Sequence, residues 1–168
     1  MPKWVNDLTH AQAAKLFTFD PETGVLYRKF EWGPWKAGSV AGTVNKKNGY
    51  VIVSVGTEVR RTYRAHRLAW LLHYGAWPPD EIDHINGDRA DNRIVNLRAA
   101  TPGQNLANKQ GRRAGLKGAY PMANGRWRSA IGKNDRFQHL GVFDTEEEAH
   151  EAFVAAAKVR YGAFARAD

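Results

Sequence analysis

The stretch from 83 to 108, DHINGDRADNRIVNLRAATPGQNLAN, constrains this chain more than any other. An Asp-His pair opens it, Asn96 follows His84 by twelve residues, and Asn105 follows Asn96 by nine. The punctuation inside the stretch predicts a tight hairpin and then a helix. Glu81 to His84 reads as a short strand and Asn86-Gly87-Asp88 as a turn, because Asn and Gly tolerate positive φ and Asp caps nearby backbone donors. Asn96-Leu97-Arg98 begins the return strand. Thr101-Pro102 fits a helix start, with Thr as N-cap and Pro at the first helical position, running on from Gly103 to Lys109. Asn105 and Asn108 share a face of that helix. The whole can fold one acid, one imidazole and one amide onto a single small site.

That set of groups suits the hydrolysis of a phosphodiester. The reaction needs a cation to offset charge on the phosphate, a base to take a proton from water, and something to hold the base in place. Asp83 offers hard oxygen ligands and Asn105 a neutral carbonyl oxygen, which together suit magnesium or manganese with water and substrate phosphate in the remaining positions. His84 is the candidate base, since an ordinary imidazole is largely neutral at neutral pH. Asn92 and Asn108 read as a turn group and a helix-face group, and Asp88 and Asp91 as local caps.

The ordered residues DHxNGDxxDN, then NLR, then QNxxN resemble the HNH family of endonucleases, the ββα-metal nucleases of phage and intron-encoded homing type. The likeness extends back through Tyr63 to Trp70 and Gly75 to Pro79, covering about residues 60 to 108. The resemblance implies that Asp83 and Asn105 are the metal ligands, His84 the general base and Asn96 the structural residue that fixes His84. It also implies 5′-phosphate and 3′-hydroxyl products. A single site of this kind is expected to nick duplex DNA as a monomer, or as a weak dimer to cut both strands.

Charge agrees with a polyanionic partner. The 168 residues hold 25 Lys and Arg against 17 Asp and Glu, a formal charge of +8. Charge alone leaves double-stranded DNA, RNA and an anionic membrane surface open, but no apolar run approaches the length of about 18 residues that a membrane span needs. The amino terminus lacks a signal-peptide core, so a cytoplasmic location, bacterial or in a phage-infected host, is expected. Cysteine is absent, which removes disulfides and the Cys-pair zinc scaffolds, so no structural zinc is expected.

Towards the amino end, residues 6 to 17 read as a short helix capped by Thr9, and Phe19 to Tyr27 as a hairpin around Asp20-Pro21-Glu22-Thr23-Gly24. From Lys36 to Arg64 the pattern is β again, with Asn48-Gly49 as a turn before Tyr50 to Val55. One small antiparallel sheet is the expectation for this third of the chain. His66 to Tyr74 reads as a buried helix whose Leu68, Leu71 and Leu72 are core, with His66 and His73 as satisfied hydrogen-bonding residues. Arg60, Arg61, Arg64 and Arg67, with Arg98 on the return strand, are candidate phosphate contacts. Trp32 and Trp35 read as core or lid.

Residues 109 to 118, KQGRRAGLKG, read as a flexible basic linker in which Arg112, Arg113 and Lys117 can track phosphates. Beyond it, Arg126 to Ile131 alternates, Phe137 to Phe143 forms a further strand, and Thr145-Glu146-Glu147-Glu148 opens a helix with an Ala-rich stripe. Gly125-Arg126-Trp127, Leu140 to Ala149, Ala155-Ala156 and Tyr161-Gly162 resemble the Apetala-two or ethylene-response-factor DNA-binding family over about residues 117 to 165. That resemblance implies three antiparallel strands in a DNA groove, backed by one helix, with Tyr120, Arg126, Arg128, Lys133 and His139 at the contact face. Its first strand departs from the family, placing Tyr120 and Met122 where arginines are usual.

The expected fold is thus α+β: an HNH domain over 1–108, β-rich through 62 with its ββα motif at about 81–108, a linker over 109–118, and a sheet-and-helix domain over 119–168. The expected function is a metal-dependent DNA endonuclease with a tethered DNA-binding domain. A non-catalytic, sequence-specific DNA-binding regulator on a nuclease scaffold is the alternative, and an RNA-binding protein a weaker one.

Overall fold

Capping residues decide where the helices begin. Thr9 Oγ1 accepts from Gln12 N at 3.2 Å while Gln12 Oε1 accepts from Thr9 N at 2.8 Å, closing a capping box ahead of α1 (His10–Leu16). The computed structural model describes residues 7–31, 33–55, 61–110, 115–132 and 137–167, and the chain divides into two compact units, Met1–Ala100 and Thr101–Asp168. Both units mix short antiparallel sheets with a few helices, as the α+β reading expects.

In the first unit β1 (Phe17–Asp20) pairs with β2 (Val25–Arg28), and β3 (Thr43–Val44), β4 (Val51–Val55) and β5 (Arg61–Arg64) form a second antiparallel sheet in that order. The sequence pattern predicted one sheet here, whereas the structure has two, linked by an isolated bridge between Tyr27 and Val40. Pro34 and the positive-φ glycines 38 and 42 lie in the connection, and they end regular pairing. Then α2 (Ala65–Tyr74) leads to the hairpin of β6 (Glu81–His84) and β7 (Leu97–Ala100).

Two apolar clusters hold these pieces together, and α2 enters both. Leu68 packs with Phe17, Leu26, Val53 and Tyr63, while the next residue, Ala69, packs with Ile82 and Leu97 of the hairpin. Each large side chain buried this way contributes about 1.5–3 kcal/mol. The hairpin is therefore anchored through its strands and free to keep polar groups in its loop.

A second anchor reaches that loop from β1 and β2. Gly24, in their turn, has φ +73°, and a Cβ there would lie 2.4 Å from the backbone nitrogen of Arg93. Only glycine permits this approach. Ile94 N also donates to Pro21 O at 3.0 Å, so the turn clamps the segment 92–94 from outside.

The second unit opens with α3 (Pro102–Ala107), capped by Thr101 in a box with Gln104. Strands β8 (Ala119–Pro121), β9 (Trp127–Ile131) and β10 (Gln138–Phe143) form an antiparallel sheet with β9 central, and α4 (Glu146–Tyr161) packs on it. Thr145 and Glu148 close the capping box anticipated for α4, whose Ala149 and Ala157 are buried. Residues 115–118, read from composition as the end of a flexible linker, are bonded into this unit. Leu116 N donates to Glu146 Oε1 at 2.6 Å, and Lys117 Nζ donates to the carbonyls of Ala107, Lys109 and Arg166 at 2.6–2.9 Å. A lysine with three backbone acceptors in reach ties segments together, a role that basic composition does not reveal. Among the described residues no helix is long and apolar enough to cross a membrane.

Candidate active site

The β6–β7 hairpin places Asp83 opposite Arg98 and His84 opposite Leu97. Asp83, His84, Asn92 and Asn96 are all buried, between 3 and 7% exposed. Buried polar groups need partners, and here they find them mostly in the intervening loop.

Asn96 is the keystone of that loop. Its Oδ1 accepts from Asn86 N at 3.0 Å, and its Nδ2 donates to Asn86 Oδ1 at 3.0 Å and to Asp91 O at 2.9 Å. Ile85 N adds a bond to Asn96 O at 2.9 Å. The residue thus fixes the loop's path.

A hydrogen-bond contact to the imidazole itself comes from a different residue. Asn92 Oδ1 lies 3.3 Å from His84 Nε2, and Asn92 Nδ2 donates to Ala90 O at 3.2 Å. Because the amide nitrogen is committed to a carbonyl, the amide oxygen faces the ring, and an oxygen there accepts. His84 therefore carries its proton on Nε2 and presents Nδ1 as the acceptor. The sequence reading treated Asn92 as a turn group; its position just inside the clamp formed by Gly24 makes it a support for His84.

Burial lowers the proton affinity of His84 below the ordinary value of 6.5, partly offset by the Asn92 bond and by Asp83, Asp88 and Asp91. A neutral ring at pH 7 follows. The pKa of Asp91 is lowered too, by a different cause: side-chain hydrogen bonds from Arg93 hold it down to about 2. Arg93 Nε and Nη2 reach its two oxygens at 2.9 and 2.6 Å. Asp88 accepts from Ala90 N at 2.9 Å, the capping role its sequence position suggested.

Three aromatic rings meet at His84. His66 stands edge-on with ring centroids 5.0 Å apart, and Tyr50 is 5.9 Å from His84 and 5.3 Å from His66. His66 was expected to be a satisfied helical histidine, but its buried Nδ1 has no hydrogen-bond partner among the described residues. Burial first, then His84, Arg64 and Arg67, push its proton affinity well below 6.5. Neither Tyr50 nor His66 was selected from sequence, since only the third dimension brings the residue before β4 and the start of α2 to the loop.

The basic candidates separate into distinct environments. Arg98 Nε and Nη2 both lie 2.8 Å from Asp83 Oδ2, so this side chain, expected on phosphate, braces the carboxylate across the hairpin. Arg61 is ion-paired with Asp7, and Arg67 is buried with Nη1 donating to Asp80 O at 3.0 Å. Arg64 lies over the Tyr50 ring at 3.8 Å. In the second unit Arg126, Arg128 and His139 are exposed, and Arg128 pairs across strands with Tyr120. Arg126 also donates to Asp144 Oδ1 at 2.8 Å. Trp35 covers the guanidinium of Arg28 at 4.4 Å. Arg60, Arg112, Arg113, Lys133 and Trp32 lie outside the described residues. Asn105 sits half-buried on α3, within the second unit.

Among the described residues there is no group of three His, Cys, Asp or Glu that could hold a metal. The donor set instead consists of one carboxylate, Asp83, with amides and an imidazole. It fits a hard divalent cation that draws most of its shell from water and substrate phosphate.

Comparison with known proteins finds likenesses over this region. The model of the HNH endonuclease family matches residues 63–107, from the end of β5 through α3. An uncharacterized HNH endonuclease, L560, of Acanthamoeba polyphaga mimivirus is 31% identical over 102 residues, 60% of this chain. The chain spans 54% of that relative's length. A solved structure on DNA binding and cleavage by the HNH homing endonuclease I-HmuI is 25% identical over 55% of this chain and 51% of that one, with a TM-score of 0.42. The match to the HNH endonuclease family thus falls on the segment that holds the buried Asp-His pair and the loop locked by Asn96.

Proposed function

We propose that the protein is a metal-dependent DNA endonuclease that hydrolyses phosphodiester bonds, acting as a nicking enzyme when monomeric. The observation that carries this is His84: a buried, neutral imidazole whose proton is drawn to Nε2 by Asn92, leaving Nδ1 to accept one from water. General-base catalysis of this kind contributes roughly 10²–10⁴-fold.

Asp83 supplies a carboxylate oxygen for magnesium or manganese, and the family resemblance adds the amide oxygen of Asn105. The bound cation would stabilise charge on the phosphate and the departing 3′ oxygen. Arg98 braces and aims Asp83 across the hairpin, while Asn96 holds the loop on which the rest depends. His84 takes the proton of the attacking water. Asn92 stabilises the imidazolium that results, its oxygen still accepting from Nε2.

Tyr120, Arg128 and His139 on the second unit's sheet read as a DNA-contact face, in line with the Apetala-two resemblance, and the family match stops short of them. Double-stranded DNA is the proposed substrate.

Purified protein, supercoiled plasmid and magnesium or manganese test the reading, beside chelator and the variants His84→Ala and Asn92→Leu. Metal-dependent open circles are expected, reduced about 10³-fold in His84→Ala and about tenfold or more in Asn92→Leu. Undiminished cutting by His84→Ala would remove His84 from the mechanism. Tight DNA binding without any cleavage of plasmid or candidate genomic targets would favour the regulator reading.

A further inference from the structure

Arg28 ends β2 as a cation shut inside the first unit. The residue is 5% exposed, and its Nε and Nη1 are closed to water with no hydrogen-bond partner. Its backbone is satisfied, since Arg28 N donates to Ser39 O at 2.9 Å and Arg28 O accepts from Gly38 N at 2.8 Å. Only the guanidinium is left over. Among the described residues no carboxylate pairs with it: burial is what lowers its proton affinity below the usual guanidinium value. The acid close by in sequence, Glu31, lies 3.7 Å from Lys36 Nζ, and both of those side chains are well exposed.

Taking an unpaired charge out of water is costly, and an apolar side chain of similar size would avoid that cost. The ring of Trp35, 4.4 Å from the guanidinium carbon, offsets part of it electrostatically but offers no acceptor oxygen. An anion would supply both the missing charge and the missing acceptors, and arginine suits phosphate oxygens better than any other side chain. Trp35 is half-buried and lies outside the paired strands, so it is the neighbour that can give way as an anion enters.

Position and charge choose the occupant. Arg28 lies on the same hairpin whose Gly24 turn clamps residues 92–94 of the active-site loop. Four residues of extended strand separate Gly24 from Arg28, about 13 Å. One strand of duplex DNA advances about 3.4 Å per nucleotide, so a strand passing His84 has further phosphates within such a span. The formal charge of +8 favours that polyanion over an acidic protein of modest charge.

We infer that Arg28, with Trp35 beside it, is an anion subsite that takes a backbone phosphate of DNA away from the scissile position. The inference rests on the endonuclease reading and adds to it a grip on the substrate outside the β6–β7 hairpin.

The experiment uses the full chain and a defined duplex. Affinity is measured across a salt series in chelator, cleavage in magnesium and unfolding in urea, for the parent, Arg28→Met, Arg28→Lys and Lys158→Gln. Met is unbranched and uncharged, Lys keeps one positive charge, and Lys158, exposed on α4, is the control for loss of a surface cation. In Arg28→Met the slope of log affinity against log salt is expected to fall by about 0.9, with binding about fivefold weaker. The same variant is expected to unfold at the parental urea concentration or above it, because a buried, unpaired charge is gone. A residue that served the fold alone would show the reverse, earlier unfolding at an unchanged slope. Arg28→Lys and Lys158→Gln are expected to keep the parental slope.

An unchanged slope in Arg28→Met, or an equal fall in Lys158→Gln, overturns the subsite; if the parent still cuts DNA, the endonuclease reading stands. Should Arg28→Met unfold early with a reduced slope, Arg28→Lys decides: a parental slope there supports the subsite and a reduced one overturns it. A parent that binds DNA through Arg28 and never cuts keeps the subsite and overturns the cleavage reading. Absence of any DNA binding overturns both.

Discussion

In the first unit Asp83, His84, Asn92 and Asn96 are withdrawn from solvent and bonded within one hairpin and its loop, whereas in the second unit Arg128 and His139 stand exposed on a sheet, with Arg126 exposed just before it. Both arrangements are polar, yet they suit different work. A buried network has few alternative partners, so its groups hold one geometry, which is what proton transfer requires. An exposed basic face keeps its solvation and its rotamers, which suits phosphate contacts that are numerous and individually weak. Removing a group from the first should damage fold and chemistry together; removing one from the second should touch only association.

The sharpest way to break that contrast is Asn96→Ala. The change deletes three side-chain hydrogen bonds and leaves Asn86 N and Asp91 O short of a partner in a partly buried loop. An unsatisfied group of this kind costs about 1–3 kcal/mol, so a loss of about 2–4 kcal/mol is expected in urea unfolding. Cleavage should fall with it, because Asn92 and His84 sit on the loop that Asn96 holds. If Asn96→Ala unfolds at the parental urea concentration, the network is not what orders the site.

How much of this was legible beforehand follows from the range of the interactions involved. Caps and turns are local, and Thr9, Thr101, Thr145 and the Asp20–Gly24 turn stand where their chemistry placed them. Asp83 and His84 were legible too, since the Asp-His pair and the asparagines after it lie within one short stretch. The pairing of Arg98 with Asp83 was not legible because it depends on register: once Asp83 is seen opposite it across the hairpin, a salt bridge is the natural outcome. Asn92 looked like a turn residue because the clamp behind it comes from Gly24, far back in the sequence. Tyr50 and His66 had no local signal beyond an Asn-Gly turn and a helical apolar face. Their approach to His84 is a tertiary fact.

A smaller effect comes from pH. Burial makes the charged form of His66 unfavourable in the folded state, so its folded pKa lies well below the unfolded value of 6.5. The sign follows. Above 6.5 the ring is neutral in both states and its contribution to stability is fully present; below 6.5 the unfolded chain gains a proton that the folded chain resists, and stability is lost as pH falls. The slope from one such group is at most about 1.4 kcal/mol per pH unit. Urea unfolding at pH 7.5 and 5.5 is expected to show this loss in the parent, and a shallower one in His66→Phe, which keeps a ring in place and cannot titrate. Equal pH dependence in the two proteins would assign the acid sensitivity to another group, His84 first among them.

The weakest effect belongs to the open face. Arg128 is exposed on β9, 5.7 Å from the ring centroid of Tyr120, and among the described residues has a surface cation–π contact to lose. Exposed substitutions of this kind usually stay within about 0.5 kcal/mol, so Arg128→Gln should unfold with the parent. Its effect is expected in association alone: the salt slope for duplex DNA falls by about 0.9 and affinity by a few-fold. Destabilisation above about 1 kcal/mol would show that Arg128 supports the sheet, and the division between a locked polar site and an open basic face would not hold. An unchanged slope with unchanged stability would keep the division but move the DNA-contact face away from β9. That outcome would direct attention to Tyr120 and His139 on the flanking strands.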